Sequence, residues 1–172
     1  MATRTKLDRE ARHKSENIED DVLSDTVKAL RRRIRCIDRT YDIPYIAGYS
    51  RDGRVIFIDR HLPRSFSTWT KRVQVDPFIA THEIIEKALL DQLGLHYLHA
   101  HQIALRTERA AVEAAGISWR AYEGFMKSCE RKIEQETLQR VPASLDLTPY
   151  RHQKDFALLE RLVRQETRSR RK

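Results

Sequence analysis

The sequence predicts an α+β fold: a small antiparallel β-hairpin or sheet packed on a mainly helical body, with an antiparallel helix pair carrying the site. Three observations predict it. Two β-rich runs, 45–49 and 55–58, flank Ser50-Arg51-Asp52-Gly53-Arg54, and Asp-Gly favours a hairpin because it tolerates the positive φ that tight turns need. Apolar residues then recur every three or four positions over most of residues 76–140, which is the helical period. Only 5 Gly and 5 Pro occur in 172 residues, too few for a turn-dense β-sandwich, while charged residues reach 34%, as on helix-rich surfaces.

Each element follows from its own signals. Residues 1–16 balance their charges and hold few apolar groups, which predicts a flexible N-terminal arm. From Ile18, spacings of three and four through Val22, Leu23, Val27, Leu30, Ile34 and Ile37 predict a helix from about Asn17 to Asp38. Glu19, Asp20 and Asp21 in its first turn and arginines near its end suit the helix dipole. The hairpin comes next, its second strand ending near Asp59. Residues 61–71, with Pro63, Ser65, Ser67 and Thr68, read as a loop, and residues 73–75 as a candidate third strand.

Asp76-Pro77 predicts a helix start, since Asp caps orphan N–H groups and Pro fits the first helical position. Gly94 predicts its left-handed end. A second helix, from about Leu95 to Ala115, ends at Gly116. So short a link makes the two helices antiparallel neighbours. A third begins after Ser118, with Trp119, Tyr122, Phe125, Met126, Cys129 and Ile133 as its stripe. Residues 17–140 thus form a single domain. Residues 141–172 read as a linker followed by a basic C-terminal helix and tail, opening at Thr148-Pro149.

Composition narrows the function classes. Apolar residues make up 40%, enough for a core. The longest apolar runs are too short to span a bilayer, and the N-terminal residues lack the apolar segment of a secretory signal. Cys36 and Cys129 cannot form a disulfide framework or a four-thiolate metal site. The expected compartment is the reducing cytoplasm. The net charge of +8 is uneven. Residues 151–172 carry eight Lys/Arg against Asp155, Glu160 and Glu166, whereas residues 73–116 carry three against six acids. An acidic middle in a basic chain raises the question of which cation it holds.

The residues that bear chemistry lie in that acidic stretch. His82 and Glu86 are four apart, on one face of the first helix of the pair, and Leu89 and Leu93 continue that face inward. On the next helix Leu98, His101, Leu105, Glu108 and Val112 form a similar stripe. Across an antiparallel turn at Gly94, Glu86 falls level with His101, and His82 level with Glu108. Each unpaired polar group buried there would cost about 1–3 kcal/mol. A metal ion satisfies all four at once, and two imidazoles with one or two carboxylates suit zinc, or less strictly manganese or iron. The competing arrangement is a buried His–Glu hydrogen-bond network without metal. His99 lies on the opposite side of its helix from His101, and His96 is near the helix start. His13, His61 and His152 sit in polar contexts and receive no role.

His82-Glu83-Ile84-Ile85-Glu86 after a β-hairpin resembles the HExxH active-site helix of zincin metallopeptidases, with Glu86 standing where the second histidine would be. The resemblance covers residues 45–108. It implies a metal, most readily zinc, held by His82, Glu86 and His101, with Glu108 a fourth ligand or a carboxylate behind the ligands. It implies that Glu83 is the catalytic base that takes a proton from an activated water and returns it to a leaving amine. An extended peptide substrate would add to strand 55–58 as an edge. Tyr97, one turn before His101, is a candidate for binding the substrate's oxyanion or an ordinary core tyrosine.

Two other classes compete with a metal-dependent hydrolase. Arg31–Arg35 and the C-terminal basic tail are candidates for nucleic-acid contact. The first and last helices are candidates for scaffold docking.

Overall fold

The computed structural model describes residues 32–169, with side chains through residue 164. The fold is α+β. Among the described residues, five short strands, β1 (Cys36–Asp38), β2 (Ala47–Tyr49), β3 (Val55–Ile58), β4 (Ser65–Ser67) and β5 (Arg72–Gln74), precede five helices. These are α1 (Asp76–Leu93), α2 (Tyr97–Ala114), α3 (Trp119–Ile133), α4 (Thr148–His152) and α5 (Phe156–Ser169).

The hairpin forms as its turn residues predict. β2 and β3 pair antiparallel, with Ala47 opposite Ile58 and Tyr49 opposite Ile56, and Gly53 takes φ +65° in the turn. β3 is apolar at every position because both its faces are covered. Ile56 and Ile58 join Val75, Ile79, Ala88, Val112 and Tyr122 under the helix pair. Phe57, on the other face, joins Ile43, Leu145, Tyr150, Leu158 and Leu162.

Three expectations are corrected. The helix expected over residues 17–38 falls mostly outside the described residues, and its last part is strand β1, parallel to β3 with Cys36 opposite Val55. The stripe that includes Ile34 and Ile37 fits a helix locally, but β3 offers an unpaired backbone edge, and pairing with it overrides the period. β3 is therefore the central strand, in the order β1-β3-β2, and not the edge expected to receive a substrate. Residues 61–71 are not all loop: β4 pairs with β5 in a second, two-stranded sheet.

α1 and α2 form the antiparallel pair, joined through Gly94 at φ +61°. Val75 occupies the N-cap position of α1, and Asp76 makes no cap bond. Its carboxylate instead accepts from Arg39 (2.9 Å), whose other terminal nitrogen donates to the Leu62 carbonyl (2.6 Å). The start of α1 is thereby tied to the chain leaving β1.

The boundary expected at residue 140 is not a break in the packing. Leu145, Tyr150, Leu158 and Leu162 share their apolar cluster with Ile43 and Phe57. Asp146 N–H donates to the Tyr49 carbonyl (2.9 Å), so this segment lies along the outer edge of β2. Gly48 permits that approach, because a Cβ there would sit 3.1 Å from the Leu145 side chain. The single helix expected from Thr148 is two, α4 and α5, broken where Lys154 takes φ +57°. Among the described residues no helix is long and apolar enough to cross a membrane.

Candidate metal centre

α1 and α2 pack together through Ile85, Leu89, Ala100, Ile103 and Ala104, and with β2 and α3 they line a cleft of about 400 Å³. At the floor of this cleft the two polar stripes meet. His82 and Glu86 come from α1 and His101 from α2, and the three together could hold a metal ion.

The donor atoms form a triangle. His82 Nε2 lies 3.1 Å from His101 Nδ1 and 3.4 Å from Glu86 Oε2, and His101 Nδ1 lies 3.0 Å from Glu86 Oε2. Ligands at zinc-bond lengths on a tetrahedron are separated by about 3.3–3.6 Å, so a small contraction of such a site gives this triangle. The fit comes from the helical period, which stacks residues 82 and 86, and from the Gly94 turn, which sets His101 level with them.

Glu108, expected as a fourth ligand or a carboxylate behind the ligands, takes the second position. Its Oε2 lies 2.9 Å from His82 Nδ1, leaving Nε2 of the same ring to face the triangle. Its Oε1 accepts from Tyr122 OH (2.6 Å). Glu86 uses Oε1 to accept from Tyr49 OH (3.2 Å), leaving Oε2 inward. A carboxylate that fixes the ring orientation of a ligating histidine is the usual support for such ligands. The sequence reading missed Tyr49 and Tyr122, which look like ordinary strand and helix-stripe aromatics. Only their partners across the fold show that their hydroxyls face the carboxylates.

The charges are unusual for a buried site. Burial pushes the Glu86 carboxyl up, but hydrogen bonds from His101 and His82 outweigh it and hold the group at about 2. Burial disfavours a charged His82, but its bonds to Glu108 and Glu86 outweigh that and raise it well above the ordinary imidazole value. The carboxylates therefore draw positive charge to the triangle, and both a proton and a metal ion answer that demand. Glu83 is 8% exposed, lines the cleft, and has no hydrogen-bond partner among the described residues. Burial, with Glu86 and Glu108 adding to it and His82 opposing, pushes its carboxyl up to about 8.

Tyr97 is buried and also lines the cleft, its hydroxyl 3.5 Å from His101 Nδ1. His152, given no role from sequence, accepts the Tyr97 backbone N–H at Nδ1 (3.1 Å) and stacks on His96 at 4.4 Å between ring centroids. It therefore braces the start of α2. His96 and His99 do not enter the triangle. On α3, burial and the neighbouring Glu134 push the Glu130 carboxyl up beside the cleft. Arg32, Arg33 and Arg35 are exposed, while Arg31 and the tail residues 170–172 lie outside the described residues.

Comparison with protein-family models, with curated proteins and with solved structures gives no match.

Proposed function

We propose that the chain is a zinc-dependent hydrolase of peptide or amide bonds, of the zincin type. The observation that carries this reading is the donor triangle of His82, Glu86 and His101 beside Glu83, a buried carboxyl with no hydrogen-bond partner among the described residues. Two imidazoles and a carboxylate are a familiar ligand set for catalytic zinc and leave a coordination position open. A zinc ion held there would supply Lewis acidity and acidify a bound water.

The chain's own groups do the rest. Glu83 follows His82 by one residue, about 100° around α1, so it flanks the triangle instead of joining it. With a cation at the triangle drawing its carboxyl down from about 8, Glu83 would be ionised near neutral pH, able to accept a proton and pass it to a leaving amine. Glu108, itself held by the Tyr122 hydroxyl, fixes the orientation of the His82 ring. The buried Tyr97 hydroxyl, bonded to Gln153 and 3.5 Å from His101 Nδ1, would have to exchange a partner to donate to a developing oxyanion. A substrate would enter the cleft past residues 47 and 48 of β2, without strand pairing, because the segment at Asp146 already takes the outer edge of β2.

A second reading rests on the same distances. At 3.1 Å, His82 Nε2 and His101 Nδ1 are also within hydrogen-bond reach, so a metal-free His–Glu network would leave the site structural and the basic surface as the working part. Metal analysis of the purified chain separates the two. The hydrolase reading expects one zinc per chain, a fall in Tm with chelator, and zinc-dependent cleavage within a peptide library. No bound metal, with salt-sensitive binding to duplex DNA, would favour the second.

A further inference from the structure

The cleft is negatively charged beyond what the metal group needs. To Glu86 and Glu108 at the floor it adds Glu123 and Glu130 from α3, Glu134 just past the end of that helix, and Asp146. Lys127 is the single lysine or arginine along it among the described residues, and Glu123 engages it at 2.9 Å. Lys87 holds Asp146 from behind at 2.7 Å. A divalent ion at the triangle offsets two charges, so carboxylates remain in excess, in a chain whose net charge is +8. Glu130 and Glu134 are one helical turn apart, where like charges repel, and no ion pair joins either to a lysine or arginine among the described residues. Deeper in, Glu83 is 8% exposed with no hydrogen-bond partner among the described residues. Low-dielectric walls focus such a field on whatever enters.

Resting on the hydrolase reading of this site, we propose that its substrates are peptides bearing lysine or arginine, with the cationic head seated against Glu130 and Glu134 while the backbone crosses the triangle.

The test measures binding, so it does not depend on turnover. Labelled peptides of one length, rich in arginine, glutamine or glutamate, are titrated against the zinc-loaded full chain by fluorescence anisotropy. The arginine peptide is expected to bind roughly three- to tenfold tighter than the glutamine peptide, the range two partly exposed ion pairs give, and the glutamate peptide weakest. Indiscriminate attraction to a chain of charge +8 would produce the opposite order. Glu130→Gln with Glu134→Gln should bring the arginine peptide to the glutamine level without a change in Tm. Glu113→Gln, on the exposed far end of α2, should leave the preference intact. Equal binding of all three peptides, tightest binding of the glutamate peptide, or a preference that survives the α3 double substitution would overturn the proposal. Cleavage of the bound peptide is followed separately. A retained arginine preference with no cleavage would count against the hydrolase reading alone.

Discussion

Glu86 and Lys87 are consecutive residues of α1, both buried and both charged, and their surroundings differ in kind. Lys87 closes its charge completely. Its ammonium donates to Asp146 (2.7 Å), pairs with Asp91 (2.9 Å) and lies over the Tyr49 ring at 4.9 Å. Glu86, turned about 100° away, belongs to a group with two imidazoles, three carboxylates and no lysine or arginine. The buried pair of Lys87 and Asp146 is balanced, with the half-exposed Asp91 beside it, and joins the C-terminal segment to the helix pair. The group around Glu86 has acceptors to spare, and one of them, Glu83, has no hydrogen-bond partner among the described residues. A balanced buried pair secures the fold, whereas an unbalanced one stays only if the imbalance is used.

The largest test of that contrast is Glu83→Gln, which keeps size and hydrogen bonding but removes basicity. On the hydrolase reading, zinc content and Tm stay at wild-type values while peptide cleavage drops by about 10²–10⁴-fold, the range for loss of a general base. Cleavage at the wild-type rate would reduce Glu83 to a spectator. His101→Ala should remove stoichiometric metal, measured by elemental analysis, whereas His99→Ala should not. On the balanced side, Lys87→Ala should destabilise the chain by about 3 kcal/mol in urea unfolding, because it leaves Asp146 nearly buried without its cation. Metal stoichiometry should be unchanged. Glu108→Gln comes next in size. It leaves the ligand triangle in place but loosens the orientation of His82, so zinc affinity should fall about 10- to 100-fold in a competition titration.

The contrast was only half legible in the sequence. The period of four from His82 to Glu86, the Gly94 turn and the stripe through His101 and Glu108 are local signals, and local geometry carries them into the structure. The Lys87–Asp146 pair spans 59 positions, and no period connects its partners. The same reason hides Tyr49 from Glu86 and Tyr122 from Glu108, since each meeting depends on how β2 and α3 dock on the helix pair. The end of the expected first helix failed for a related reason. Its apolar spacing satisfies a helix, but an open edge on β3 is a long-range demand that spacing does not register. The split between α4 and α5 also escaped, since Lys154 takes a left-handed conformation that its residue type does not announce.

The smallest expected effect is the pH dependence of the balanced cluster, and its sign is fixed. Burial pushes the Asp146 carboxyl up, but hydrogen bonds from Lys87 and the Thr148 backbone outweigh it and hold the group below its usual value. A carboxyl depressed in the folded state stabilises the fold above its unfolded value of about 3.9, and that contribution is lost as pH falls through the folded value. Asp146→Asn should therefore be less stable than wild type at neutral pH, with the gap narrowing once pH drops below about 4. Urea midpoints collected with chelator present, so that protonation of the metal ligands enters both proteins equally, would measure it. A gap that holds constant down to about pH 2 would show that Asp146 contributes through shape and neutral hydrogen bonding. In that case the cluster around Lys87 would not be the charge-balanced counterpart of the one around Glu86.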